Sequence, residues 1–338
     1  MSKILVTGGA GFIGSQLGYH LHNLGHEIVL LDNMSYGHED NLEIDGKTFG
    51  TFINEDVRSL KIYDIMQGVD YVFHFAGIAP LPVNQENPCE AISSNVAGTA
   101  NVLDAARKVG VKRFVFASTS AIYENNKTFP SQEKDDVSPN LVYATSKLQC
   151  ELLCKGFWEV YGLPTVMLRF FNVYGPHQDF RRKSPPLTGY IIRELLQNRV
   201  PILHSSGNQS RDYVYIDDLI EMLTICMTHS AAIGEIFNVA SGKAYSVKEI
   251  YGQLSQALAK KDVQPVFREA KLLWEKYPSL FTGAMTLDRR RLEKEVNKHA
   301  LGCTKKAETL LGWKSQTSIK DGMKKTAKFA QSLGLMGR

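Results

Sequence analysis

Cysteine is scarce in this chain: Cys89, Cys150, Cys154, Cys226 and Cys303 are the five in 338 residues. The odd total and the lack of any Cys-x-x-Cys pair argue against a disulfide scaffold or a zinc site, so no metal is expected and the setting is read as reducing and cytoplasmic. Nowhere do about 18 apolar residues follow one another, which excludes a transmembrane helix. A charged leader is missing too, because the strand-like run Lys3-Ile-Leu-Val-Thr7 begins almost at once, and no secretory signal is expected. Basic charge is thin: the formal net charge is +4. The short runs Arg181-Arg182-Lys183 and Arg289-Arg290-Arg291 are read as solvated surface rather than a nucleic-acid stripe. Internal repeats and low-complexity segments are absent.

What remains is the balance of an ordinary globular protein, with 43% apolar and 22% charged residues. The length suits a large nucleotide-binding unit with a smaller partner. Short apolar runs recur at Ile4-Val6, Ile28-Leu31, Phe52-Ile53, Tyr71-Phe75, Phe114-Ala117 and Val166-Leu168, as in buried parallel strands. Helical patterns fill the gaps, over Gly11-Leu24, Pro88-Val109 and Leu141-Tyr161. This alternation predicts an α/β fold, a doubly wound parallel sheet of Rossmann type. After Arg169 it fades into a proline-bearing tract, Tyr174-Leu187. Residues 1–170, with a return segment near 210–240, are therefore expected to form the dinucleotide-binding domain, and 171–338 mainly a smaller α/β substrate-binding lobe. Further helices are expected over 189–197, 217–228, 247–258 and 305–311.

The segment Thr7-Gly-Gly-Ala-Gly-Phe-Ile-Gly14 follows one strand and opens a helix. Gly8, Gly11 and Gly14 let the backbone turn tightly and approach a pyrophosphate, and the helix-start amides, including those of Phe12 and Ile13, supply positive partial charge. A second strand ends in Asp32, at the distance where an acid meets the adenosine ribose hydroxyls. Asp32 would repel a 2'-phosphate and no arginine follows it closely, so NAD is favoured over NADP. Asp56-Val57 and Phe75-Ala76-Gly77 follow the third and fourth strands and are expected to contact the same dinucleotide.

Tyr143-Ala-Thr-Ser-Lys147 places a phenol and an ammonium on one helix face. A free tyrosine has a pKa of about 10, and a nearby Lys⁺ together with the nicotinamide charge would favour the phenolate as a base. The fifth strand runs into Phe116-Ala-Ser-Thr-Ser-Ala-Ile-Tyr123, whose hydroxyls lie at the sheet's carboxyl edge. Thr119 is the candidate partner and proton relay, with Ser118 and Ser120 as neighbouring alternatives.

These motifs, taken with Leu31-Asp-Asn33, Asn95-Val-Ala-Gly-Thr99, Leu168-Arg-Phe-Phe-Asn-Val-Tyr-Gly175, Gln209-Ser-Arg-Asp-Tyr213 and Leu311-Gly-Trp313, resemble the extended short-chain dehydrogenases, especially nucleotide-sugar epimerases and dehydratases. The resemblance spans nearly the whole chain. It implies NAD contacts from Asn33, Asn95, Ser118 and Phe170 besides Tyr143 and Lys147. It also implies a nucleotide-sugar substrate held by Thr119, Tyr143, Asn172, Leu187 and Arg211, with Arg211 clamping a phosphate; the plainer alternative for Arg211 is a salt bridge with Asp212, Asp217 or Asp218. A homodimer through a four-helix bundle is implied as well, with Ala144 and Leu148 among the small and apolar residues of the helices concerned.

Family 4,6-dehydratases carry Asp-Glu after the threonine and decarboxylating relatives place a glutamate at the second of those positions, whereas this chain has Ser120-Ala121. The reaction expected is therefore 4-epimerisation of a UDP-hexose, UDP-hexosamine or UDP-hexuronic acid through a transient 4-keto sugar. A dehydratase or 4-dehydrogenase, or a noncatalytic NAD sensor, is the alternative. Three departures stand out: Tyr123-Glu124 where the family has Tyr-Gly, Pro185-Pro186 where UDP-sugar relatives use amides, and a tract, Trp274-His299, unlike the usual phosphate-binding loop.

Overall fold

The computed structural model describes residues 1–334; the final positions of the expected second lobe, 335–338, lie outside the described residues. Seven parallel strands form the central sheet: β1 (Lys3–Thr7), β2 (Glu27–Asp32), β3 (Thr51–Asn54), β4 (Tyr71–His74), β5 (Arg113–Thr119), β6 (Thr165–Phe170) and β7 (Ile236–Val239). Their order is β7-β6-β5-β4-β1-β2-β3. The direction of winding reverses at β1, so a crevice opens beyond its carboxyl end. All six expected strands are present. β7 lies after the proline-bearing tract and returns the chain to the sheet.

Why the strands are apolar throughout follows from their two covered faces. Ile4 and Val6 join one core with Ile28, Leu30, Val115 and Leu17 of α1 (Phe12–Asn23). The alternate residues Leu5, Val29, Leu31, Phe114 and Phe116 join the other, against α2 (Gly98–Val109) and α3 (Val142–Tyr161). Period-two alternation sends successive side chains to opposite cores, and neither face can tolerate unpaired charge. The later helices include α4 (Leu187–Leu196), α5 (Ile216–Thr228), α6 (Val247–Ala257) and α7 (Arg289–Asn297), and two more, Lys305–Leu311 and Ile319–Ser332, follow α7. A smaller sheet of Ala244–Ser246, Ser210–Tyr215 and Asn172–Tyr174 continues from the end of β6.

The helix expected over 88–109 is not continuous. Pro88–Ile92 is α-helical, Ser93–Ala97 forms one wide π turn, and α2 follows. The inserted residue swings Asn95 inward, where it is 1% exposed. Its carbonyl accepts from Thr99 Oγ1 at 2.5 Å and Cys150 Sγ at 3.2 Å. Such wide turns cost regular hydrogen bonding and recur where a side chain has to be aimed.

His74 closes β4 fully buried, with Nδ1 2.7 Å from Thr7 Oγ1 and Nε2 2.9 Å from Thr99 Oγ1. Burial, helped by the Lys147 charge, pushes its pKa down to about 3 from 6.5. The folded value is depressed, so its stabilisation is present above pH 6.5 and is lost as pH falls towards 3. We expect unfolding free energy to drop by as much as about 1.4 kcal/mol per pH unit from this group. His74→Asn should flatten that slope in urea titrations between pH 7 and 4, and parallel slopes for the two proteins would contradict it.

Candidate active site

The glycine turn connects β1 to α1, and each of its glycines has its own reason. Gly8 has φ +71°, and a Cβ there would meet the Ala76 amide at 2.9 Å. A Cβ on Gly14 would collide with the Gly8 carbonyl. A Cβ on Gly11 meets only that carbonyl, at 3.1 Å, and would otherwise project into open space. No side chain caps the start of α1, so the amides of its first turn, from Phe12 to Gly14, are left for a ligand. This cradle suits a dinucleotide pyrophosphate. Gly14→Ala is expected to lower stability by about 1–3 kcal/mol through overpacking and to diminish the thermal shift produced by NAD; an undiminished shift would contradict it.

Asp32 ends β2 with its carboxylate fixed by the Ala10 amide at 3.1 Å and the Met34 amide at 2.9 Å. Burial raises its pKa, and these amides oppose the rise. Asn33 Nδ2 donates to Asp56 Oδ2 at 2.8 Å, and Arg58 grips both Asp56 oxygens at 2.8 Å. The Asp56 carboxylate is thus committed within the protein and held well below the usual range, chiefly by Arg58. Val57 is buried beneath Gly98. Asn95 is committed as well: Oδ1 accepts from the Ile78 amide at 2.7 Å and Nδ2 donates to Ser146 Oγ at 3.1 Å. Its role is to fix the loop after β4, where Phe75, Ala76 and Gly77 lie.

Thr119 ends β5 and Tyr143 lies in the first turn of α3. Both line one cavity with Lys147, Ser118, Phe170 and Phe75; Ile13, Gly77, Asn172 and Leu187 complete much of its wall. Residues read from six separate stretches of sequence therefore meet in one place. Lys147 Nζ donates to the Ala117 carbonyl at 2.9 Å and is 6% exposed, and burial lowers its pKa. The phenol differs from expectation. Burial raises the Tyr143 pKa, and what pulls it back are the Thr119 hydroxyl and the charge of Arg182 rather than Lys147.

Sequence reasoning missed the support beneath this site. Ser118 Oγ donates to Glu151, and Arg169 binds that carboxylate through Nε at 3.0 Å and Nη2 at 2.8 Å. Arg169 Nη1 donates to Tyr123 Oη at 2.7 Å, which donates to Asn238 Oδ1 at 2.9 Å. The Arg169 and Glu151 side chains are 4% and 3% exposed. This pair pins α3 to β5 and β6, next to Thr119 and Lys147.

A second cavity holds Thr119 and Tyr143 together with Glu124, Arg211, Glu295, Lys298 and His299. A third extends past Leu187, Tyr190 and Leu203, and Asn172 borders all three. The Asn172 amide nitrogen donates to the Asp212 carbonyl at 2.9 Å. Arg211 forms none of the salt bridges considered for it. Its Nη atoms donate to the carbonyls of Ser210, Glu295, Val296 and Lys298, closing the carboxyl end of α7.

A family model described as the NAD dependent epimerase/dehydratase family matches residues 4–240. The chain belongs to that family. Mouse dTDP-D-glucose 4,6-dehydratase is 30% identical over 334 residues, covering 97% of this chain and 88% of that protein. Among solved structures, UDP-glucose 4-epimerase from Thermotoga maritima, with UDP-glucose, superposes with a TM-score of 0.86 at 28% identity, covering 98% of this chain and 99% of that one. UDP-glucuronic acid 4-epimerase from Bacillus cereus, with UDP-glucuronic acid and NAD, gives 0.82 at 25% identity, with the same coverage. NAD is the cofactor of this epimerase/dehydratase chain, and the glycine cradle and Asp32 fit it.

Glu124, Pro186 and the arginine run within Trp274–His299, singled out in the sequence, each have a structural role here. Glu124 Oε1 accepts from the Leu141 amide at 3.0 Å and from the Asn140 amide, holding the start of α3, while Oε2 pairs with Arg291 at 2.5 Å. Arg291 also approaches Glu295 at 3.6 Å. Arg290 pairs with Asp288, and Arg289 donates to the Lys271 carbonyl. Arg291 thus anchors α7, whereas Arg290 is solvated surface as read from the sequence. Pro186 is the residue before α4, and its carbonyl accepts from the Tyr190 amide at 2.8 Å.

Proposed function

We propose that this family member is a 4-epimerase acting on a UDP-hexose, UDP-hexosamine or UDP-hexuronic acid. One observation carries the reading: Thr119, Tyr143 and Lys147 line one cavity, and the carboxylates bordering the adjoining cavity that shares Thr119 and Tyr143 are, among the described residues, already engaged. Glu124 is paired with Arg291 and Glu295 with Lys298 at 2.6 Å, so neither is a free acid for eliminating water. Residues 1–170 and the return segment hold the dinucleotide, and 171–338 mainly frame the sugar nucleotide.

NAD, when bound, supplies acceptance and return of hydride at carbon 4. The amides of Phe12 to Gly14 would hold its pyrophosphate and Asp32 with Asn33 its adenosine ribose. Val57 would lie against the adenine, and Phe75 with Phe170 beside the nicotinamide. Lys147 has one donor on Ala117 and keeps two for the ligand. Tyr143 Oη takes the proton from the carbon-4 hydroxyl, and Thr119 Oγ1 orients that hydroxyl. Asn172 and Leu187 border the path of the sugar nucleotide, and Arg211 holds α7 over it. Net redox change is zero, so no second substrate is needed.

A homodimer through α2 and α3 is part of the proposal. Leu152 is 62% and Val160 73% exposed on α3, with Gly156 midway between them, leaving room for a second helix to approach closely. Ala144 is fully buried within its own fold and takes no part. Light scattering should give the mass of two chains. The five free thiols, three of them buried, suit a reducing cytoplasm.

Incubating UDP-, GDP- and dTDP-sugars with the protein in deuterated water, without added cofactor, tests the reaction by proton NMR. New carbon-4 epimer signals at unchanged mass are expected. Loss of water with deuterium uptake would make it a dehydratase, and no change with any sugar nucleotide would remove the reading.

A further inference from the structure

The basic run Arg181-Arg182-Lys183, read from sequence as solvated surface, is split by the fold. Arg181 pairs with Asp40 at 2.6 Å and Lys183 lies 4.2 Å over the Tyr277 ring, both away from the catalytic group. Arg182 turns inward. Its side chain is 27% exposed and borders both the cavity of Thr119, Tyr143 and Lys147 and the one running past Leu187 to Leu203.

Its nitrogen atoms are largely uncommitted. Nε donates to the Ser184 carbonyl at 2.8 Å and stands 3.9 Å from Asp179. Asp179 is itself occupied by the amides of Arg181 and Arg182, at 2.9 and 3.1 Å. Among the described residues neither Nη atom has a hydrogen-bond partner, which leaves four N–H donors in a planar fork. Arg211 offers the contrast, because both of its Nη atoms are spent on carbonyls at the end of α7.

A sugar in the cavity of Tyr143 and Lys147 and a nucleoside base in the neighbouring one would be joined by a group passing the residues common to both, among them Asn172, Arg182 and Leu187. We propose that Arg182 is the diphosphate-binding arginine of this chain, gripping the bridge between sugar and nucleoside with its two free Nη atoms. The assignment rests on the nucleotide-sugar reading above. A guanidinium fork matches phosphate oxygens two at a time, and partial burial strengthens the attraction. The same charge lies near enough to Tyr143 to pull its phenol downward, so the residue that holds the substrate also favours the base.

Calorimetric titration of UDP and UMP into the wild type, Arg182→Ala and Arg182→Lys decides it. Arg182→Ala should weaken UDP by about 10- to 100-fold, the loss of charged hydrogen bonds, and UMP much less. Arg182→Lys should fall between, and KM for the sugar nucleotide should rise more than kcat falls. Equal losses for UDP and UMP would assign a structural role and overturn the proposal, as would unchanged UDP binding or a defect confined to turnover of UDP-hexuronic acids. A wild type that binds neither nucleotide would bring down the nucleotide-sugar reading itself, and this assignment with it.

Discussion

Replacing Tyr143 with phenylalanine is expected to lower kcat by about 10²- to 10⁴-fold, the range for removing a positioned acid-base group, with KM little changed. The phenol reaches the cavity from the first turn of α3, whose start is held by Glu124, and the helix is fixed to the sheet by Lys147 and Glu151. Deleting only Oη leaves that scaffold in place. Burial raises the phenol's pKa, so in the protein without ligand the base is mostly protonated at neutral pH. Deprotonation is required for turnover, and log(kcat/KM) should therefore climb with pH on the acid side with a slope near one. Arg182→Ala should move that limb to higher pH. A Tyr143→Phe enzyme with undiminished kcat, or a flat profile, would exclude Tyr143 as the base.

The second large effect concerns stability. Arg169→Met leaves the Glu151 carboxylate buried with Ser118 as its remaining partner, and should cost about 3–5 kcal/mol, as breaking one side of a buried ion pair does. Burial alone would lower the Arg169 pKa, and the bonds to Glu151 and Tyr123 more than offset it, so the charge is held firmly. Replacing both partners with apolar residues of similar volume should recover much of the loss, because no unpaired charge remains. Urea denaturation of the two single variants and the double variant measures this. A loss under about 1 kcal/mol for Arg169→Met, the value of an exposed pair, would contradict the buried-pair account.

What the sequence disclosed of this site was local. Gly8, Gly11 and Gly14 lie within one turn, Asp32 ends the next strand, and Tyr143 and Lys147 are one helical turn apart. Backbone geometry alone brings such residues together. Contacts made across the fold had no such signal. Glu124 and Arg291 are 167 residues apart, and Ser118 and Glu151 are on different elements. One clue was available: Glu151 falls on the buried face of α3 with Cys150 and Cys154, and Arg169 lies in an otherwise uncharged, fully buried strand. A charge in each of two buried elements requires an opposite partner. Arg182 carried no clue, because only the folded loop separates it from Arg181 and Lys183. Arg211 was singled out only through the resemblance, and its engagement with α7 was not legible, because the carbonyls it meets there lie 84 to 87 residues further along the chain.

In the proposed reaction hydride leaves carbon 4 of the sugar and returns to the same carbon. Conversion of a UDP-sugar deuterated at carbon 4, followed by deuterium NMR and mass spectrometry, tests it most directly. The expected product is the carbon-4 epimer with the label still at carbon 4 and no accumulation of NADH. Label found at carbon 6 with loss of water, or label lost to a released reduced cofactor, would contradict it.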